Sequence, residues 1–172
     1  MSPLCGIQYN KSINNSKQSK LICEYIINNE LTQNGFVIYV DSVISELSFS
    51  SNANTFERAL EKIGEIIGFK STRPDKETNG KGPDNLWAIG NAHYLVIECK
   101  NEAETKTISK DYCNQIDGSM RWFESVYDNN FTATPIMIHI SKTIDEQATA
   151  VKNMRVITQE KLTELKKILE NL

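Results

Sequence analysis

A chain of 172 residues, 40% hydrophobic and 24% charged, has the length and composition of one soluble globular domain with enough material to bury a core. Its net charge of -3 excludes a protein that coats nucleic acid by bulk electrostatics, and no apolar run reaches the roughly 20 residues of a membrane helix. Four cysteines without a C-x-x-C pair and two distant histidines argue against zinc, and the N-terminus lacks a signal-peptide pattern, so a cytoplasmic protein without membrane contact is expected.

Residues 1–15 are polar, Asn-rich and aperiodic, which predicts an extended start. Leu21, Ile22, Tyr25 and Ile26 recur at helical spacing between Lys17 and Asn29. Asn34-Gly35 reads as a stop, Phe36 to Val40 as a short strand, and Val43 to Leu47 is ambiguous. The polar stretch Ser48 to Asn54 marks a boundary between an N-terminal accessory segment, residues 1–53, and a core of residues 54–172. Asn54 to Gly68 predicts a helix whose apolar stripe is Phe56, Ala59, Leu60, Ile63, Ile66 and Ile67. Glu57 borders that stripe, whereas Glu61 and Glu65 lie further toward solvent. Lys70, Arg73, Lys76 and Lys81 then gather in a loop holding only Asp75 and Glu77 as acids. Such local charge suits phosphate contact, and a solvated loop explains it as well.

Gly82 to Lys100 reads as a hairpin: strand formers fill Asn85 to Ile89 and Tyr94 to Cys99, with residues 90–92 as the loop. In that register Asp84 falls opposite Glu98, Glu98 and Lys100 share a face, and Cys99 points to the other. Two carboxylates and an ammonium at one end of a hairpin are costly unless they bind something. After a charged loop over Asn101 to Lys106, Ser109 to Tyr127 predicts a helix with Tyr112, Ile116, Met120 and Phe123 on one side. Pro135 to Ile140 has the continuous apolar character of a central strand. Asp145 to Lys152 predicts a short helix, Arg155 to Ile157 a short strand, and Thr158 to Asn171 an amphipathic helix carrying Leu162, Leu165, Ile168 and Leu169. This order implies an α/β fold, a mixed β-sheet with helices on both faces.

Each charged residue also has a plain structural explanation. Asp84 could shape the Gly82-Pro83 turn, Glu57 could be the third helical residue of a capping box begun at Asn54, and Glu98 and Lys100 could be a same-face ion pair. Gln115 could be ordinary surface, Trp87 and Trp122 core or rim aromatics, and His139 a satisfied core histidine.

Taken together, Glu57 on the first core helix, G-P-D ending at Asp84, E-C-K over Glu98 to Lys100, and Gln115 on the following helix resemble the motif set of the PD-(D/E)XK nuclease superfamily. The resemblance covers roughly residues 54–170 and implies a restriction-endonuclease-like fold. The wording FERALEKIGEIIGF, GKGPDNLW and YLVIECKNEA is similar to nuclease domains attached to helicases in prokaryotic defence systems. It implies a Mg2+-dependent endonuclease, with Mn2+ as a substitute, acting on DNA. Asp84, Glu98, the Cys99 backbone carbonyl and Glu57 would hold the metal, Lys100 would stabilise charge on the phosphate, and Gln115 would bond the nucleophile, the phosphate or Lys100. Implied partners are nucleic acid and a homodimer mate or helicase-type protein. The alternative is a nuclease-fold module that binds nucleic acid or a partner protein without cutting.

Overall fold

Side chains alternate faces along Leu86, Trp87, Val96, Ile97, Glu98 and Cys99, and this alternation divides the molecule into two layers about a sheet. The computed structural model describes residues 17–170, so the expected extended start, Cys5 and Asn171 at the end of the expected final helix lie outside the described residues. The elements run α1 (Lys17–Asn28), α2 (Gln33–Glu46), α3 (Ala53–Ile66), β1 (Lys70–Thr72), α4 (Pro74–Glu77), β2 (Asn85–Gly90), β3 (His93–Lys100), α5 (Lys110–Val126), β4 (Thr132–His139), β5 (Arg155–Ile157) and α6 (Gln159–Leu169). The strands lie side by side in chain order. β1, β2 and β3 pair antiparallel, while β3 with β4 and β4 with β5 pair parallel, so the sheet is mixed as expected.

One face carries α2, α3 and α6, which bury Val43, Leu47, Phe56, Leu60, Ile63 and Leu162 against Trp87, Ile97, Cys99, Ile136 and Ile138. The other face carries α5, with Cys113 and Ile116 against Met137, and Phe123 against Leu86 and Val96. Helices therefore cover both faces. The hairpin register is the expected one from Asn85, paired with Ile97, to Ala88, paired with Tyr94; beyond a register shift Gly90 pairs with His93, so the loop is not residues 90–92 but Asn91 and Ala92 alone, at φ 50° and 55°.

Several expectations fail, each for a local reason. Phe36 to Val40 is not a strand but part of α2. Thr32 caps that helix by accepting the Gly35 N–H at 3.1 Å, which turns Asn34-Gly35 from a stop into a first turn. Val40, Val43, Ile44 and Leu47 then join the same core as α3, so residues 48–54 link parts of one core. Asp145 to Lys152 forms no helix. The Asp145 side chain accepts the Gln147 N–H at 2.9 Å, and Ile144 bridges to Ile108, so local bonds compete the helix away. The basic loop is partly ordered as β1 and α4, where Pro74 sits at the start of α4.

α3 lies close on β1 and β2 because Gly64 has no side chain: a Cβ there would stand 2.7 Å from Ser71 Cβ and 2.8 Å from Trp87 Cε2. Gly64→Ala is expected to cost about 1–3 kcal/mol by overpacking and to lower the calorimetric melting midpoint. An unchanged midpoint would mean that α3 can shift off the sheet without loss.

Candidate active site

At one end of the sheet β1 finishes, β2 begins, and β3 and β4 finish, so residues distant in sequence meet there. Asp84 stands just before β2. Its Oδ2 accepts the Cys99 N–H at 2.7 Å, so this carboxylate does fasten the turn to the end of β3 while presenting its charge beside it. Asn85, fully buried, donates from Nδ2 to the Glu57 carbonyl at 3.0 Å and locks the start of β2 to α3.

Glu98 and Lys100 leave β3 on the α5 face, whereas Cys99 enters the opposite core. Lys100 Nζ lies 3.4 Å from Glu98 Oε2 and 3.9 Å from Asp84 Oδ2, and 5.6 Å from the centre of the Tyr112 ring. Ser119, one turn beyond Gln115 on α5, donates its hydroxyl to Glu98 Oε1 at 2.6 Å. Burial, and then the Asp84 carboxylate, push the Glu98 carboxyl up to about 7 against the opposing pull of Ser119 and Lys100. Burial alone would depress Lys100, but Asp84 and Glu98 together outweigh it, so its pKa is raised and it stays a cation at neutral pH. Burial also pushes the Cys99 thiol well up, with Asp84 and Glu57 adding to it, which removes that sulfur as a ligand.

Glu57 approaches from α3. Asn52, rather than Asn54, caps this helix by accepting the Thr55 N–H at 2.9 Å, so Glu57 has no capping-box role. Its Oε2 instead accepts a short bond from the Arg73 guanidinium, which also donates to Asn54 Oδ1 at 3.2 Å. Both side chains of this pair are 9% exposed. Burial raises the Glu57 carboxyl, the nearby Asp84 adds to this, and Arg73 opposes it.

Asp75 completes the group. Its backbone N–H reaches the Pro83 carbonyl at 3.3 Å, which folds α4 back over the start of the hairpin. Asp75 Oδ2 faces Lys76 Nζ at 3.2 Å, and Oδ1 is buried without a hydrogen-bond partner. Glu57, Asp75 and Asp84 each offer an oxygen, and these oxygens lie within 4.8 Å of one another. An all-carboxylate donor set with an orphaned buried oxygen fits a hard divalent cation and does not single out Mg2+ from others of that kind.

Of the expected ligands Asp84, Glu98, Glu57 and the Cys99 carbonyl, Asp84 and Glu57 belong to this converging trio. Glu98 is outside the converging trio because Ser119 and Lys100 engage its two oxygens, and Asp75 stands in the trio instead. The Cys99 group that touches this cluster is its N–H. Gln115 is exposed and has no bond to Glu98 or Lys100, although it lies on the same α5 stripe as Tyr112 and Ser119. Of the basic quartet, Lys70, Lys76 and Lys81 are exposed, whereas Arg73 is buried on Glu57 and cannot meet a phosphate from solvent. Trp87 is buried in the core, Trp122 packs over Gly82, and His139 is only half satisfied: Nδ1 meets Ser141 and Nε2 is buried without a partner.

Asp75 and Ser119 escaped the sequence. A signal existed for the first, since Pro-Asp occurs at 74–75 as well as at 83–84. For Ser119 it was the helical spacing from Gln115. No helix among the described residues is long and apolar enough to cross a membrane. No protein-family model, no curated protein and no solved structure matches this chain.

Proposed function

We propose that this chain is a metal-dependent phosphodiester hydrolase, a nuclease of restriction-endonuclease-like fold, with DNA as the substrate favoured by its resemblance to the PD-(D/E)XK superfamily. The observation that carries the reading is a permanent cation, Lys100, 3.9 Å from Asp84, at the same end of the sheet where Asp84 converges with Glu57 and Asp75. A structural ion pair would need one acid; four acids against Lys100, the buried Arg73 and the exposed Lys76 leave an excess of negative charge that is expensive without a ligand.

A bound divalent cation supplies charge neutralisation at the phosphate and lowers the pKa of water. Asp84, Asp75 and Glu57 would hold it. Lys100 stabilises the negative charge that builds on the phosphate oxygens, in a partly buried position where a fixed charge acts more strongly than in water. Glu98, held by Ser119, fixes the Lys100 ammonium. The exposed Lys70, Lys76 and Lys81 provide backbone contacts that carry no sequence information. A second copy or a motor protein as partner rests on the resemblance alone.

The test is cleavage of plasmid and of single-stranded oligonucleotide with Mg2+ or Mn2+. Cutting is expected in metal, none in chelator, and a loss of about a hundredfold in Lys100→Met with Mn2+ binding retained. Equal cutting by Lys100→Met would place the chemistry elsewhere. Nucleic-acid binding without cutting in any metal would leave a binding module.

A further inference from the structure

We propose that Arg73 is a resident cation that limits the Glu57–Asp75–Asp84 centre to a single divalent ion; the inference rests on the metal-dependent reading above. Each of the three acids has one oxygen already engaged. Glu57 Oε2 is held by Arg73, Asp75 Oδ2 faces Lys76, and Asp84 Oδ2 accepts the Cys99 N–H. Among the described residues no hydrogen bond reaches the other oxygen of any of them, and that of Asp75 is buried. The centre therefore has one uncommitted oxygen per carboxylate.

A paired-metal site holds its ions about 3.5–4 Å apart and needs acids that lend an oxygen to each ion. Glu57 Oε2 could reach a second ion only beside the guanidinium it already accepts, where two like charges would share one oxygen. That guanidinium is buried, its side chain 9% exposed, and it also donates to Asn54 Oδ1 at 3.2 Å. Its Nε is buried without a partner, so the group is held for its charge at the expense of one of its own donors. The charges agree. One guanidinium against three carboxylates leaves a deficit that a single divalent ion closes, with Lys76, 55% exposed, screened by solvent. A second divalent ion would enter a site already neutral, beside a fixed positive charge. Arg73 is thus a positioning residue acting through Glu57.

The experiment is titration of Mn2+ alone into the full chain, followed by calorimetry and by electron paramagnetic resonance. The expected result is uptake of a single ion with the resolved hyperfine pattern of isolated Mn2+. Arg73→Lys keeps that behaviour. Arg73→Gln releases Glu57 and is expected to take up a second ion or to bind the first about tenfold more tightly, as removal of a neighbouring like charge requires. Two ions in the unaltered chain, with an exchange-coupled spectrum, would overturn the role of Arg73 while leaving the metal-dependent reading intact. So would Arg73→Gln matching the parent in both stoichiometry and affinity. Absence of any Mn2+ uptake would sink the metal-dependent reading itself, and the inference with it. Should Arg73→Gln fail to fold because Glu57 is left buried and unpaired, the parent spectrum still decides.

Discussion

Asp84→Asn is expected to give a folded chain in which cutting is slowed by about a hundred- to a thousandfold and Mn2+ binds at least about tenfold more weakly. The substitution separates the two tasks of this residue. An asparagine carbonyl can still accept the Cys99 N–H that Asp84 Oδ2 takes at 2.7 Å, so the hairpin stays fastened to the end of β3. The negative charge is gone, however, from the carboxylate that converges with Glu57 and Asp75 and lies 3.9 Å from Lys100. Asp84→Ala is expected to lose the activity and also to strand the Cys99 N–H, at a cost of about 1–3 kcal/mol in stability. Cleavage assays, Mn2+ calorimetry and thermal melts on the two variants distinguish the effects. Cutting that survives Asp84→Asn would remove this carboxylate from the chemistry and leave it a turn residue.

Glu98→Gln is expected to be inactive and more stable than its parent above neutral pH. Glu98 is pushed up to about 7 from an ordinary value near 4.5 by burial and by Asp84, so the folded chain holds this proton more tightly than the unfolded chain does. The stability it contributes is fully present below pH 4.5 and is lost as pH rises through 7, a change of roughly 2–4 kcal/mol over that window. A neutral amide that can still accept the Ser119 hydroxyl escapes the loss. Melting midpoints measured from pH 4.5 to 8 should therefore fall for the parent and stay nearly level for Glu98→Gln. Identical profiles would show that the Glu98 proton is shed at an ordinary pH in the folded state, and that Lys100 and Ser119 compensate its burial fully. The result also bears on function: a buried acid kept at a stability cost, 6% exposed and beside a lysine, marks a site maintained for binding.

The parts of this site that were legible in the sequence are those specified by neighbours a few residues away. α3 showed itself through Phe56, Leu60 and Ile63 at helical spacing, and the hairpin through alternation about a short turn. The turn set the register, and the register placed Asp84 level with Glu98 and sent Cys99 to the opposite core. Where local signals conflicted, the stronger one was not visible. Asn34-Gly35 has the composition of a stop, but Thr32 supplied a cap and the apolar series Phe36, Val40 and Val43 carried a helix through it.

The sequence by itself therefore determined which residues carry charge, which strand face each would take, and that acids and a lysine would meet at the end of a hairpin. Only the tertiary structure decided how those charges pair. Arg73 is 16 residues from Glu57 and Ser119 is 21 residues from Glu98, and nothing in local spacing says that a basic loop residue will be buried or that a serine will hold a carboxylate. The reason is physical: a buried charge must be paired within a few ångströms, and which partner comes that close depends on how α3, α4 and α5 pack on the sheet. That packing moved Arg73 from the proposed phosphate surface onto Glu57, brought Asp75 beside Glu57 and Asp84, and left Glu98 to Lys100 and Ser119.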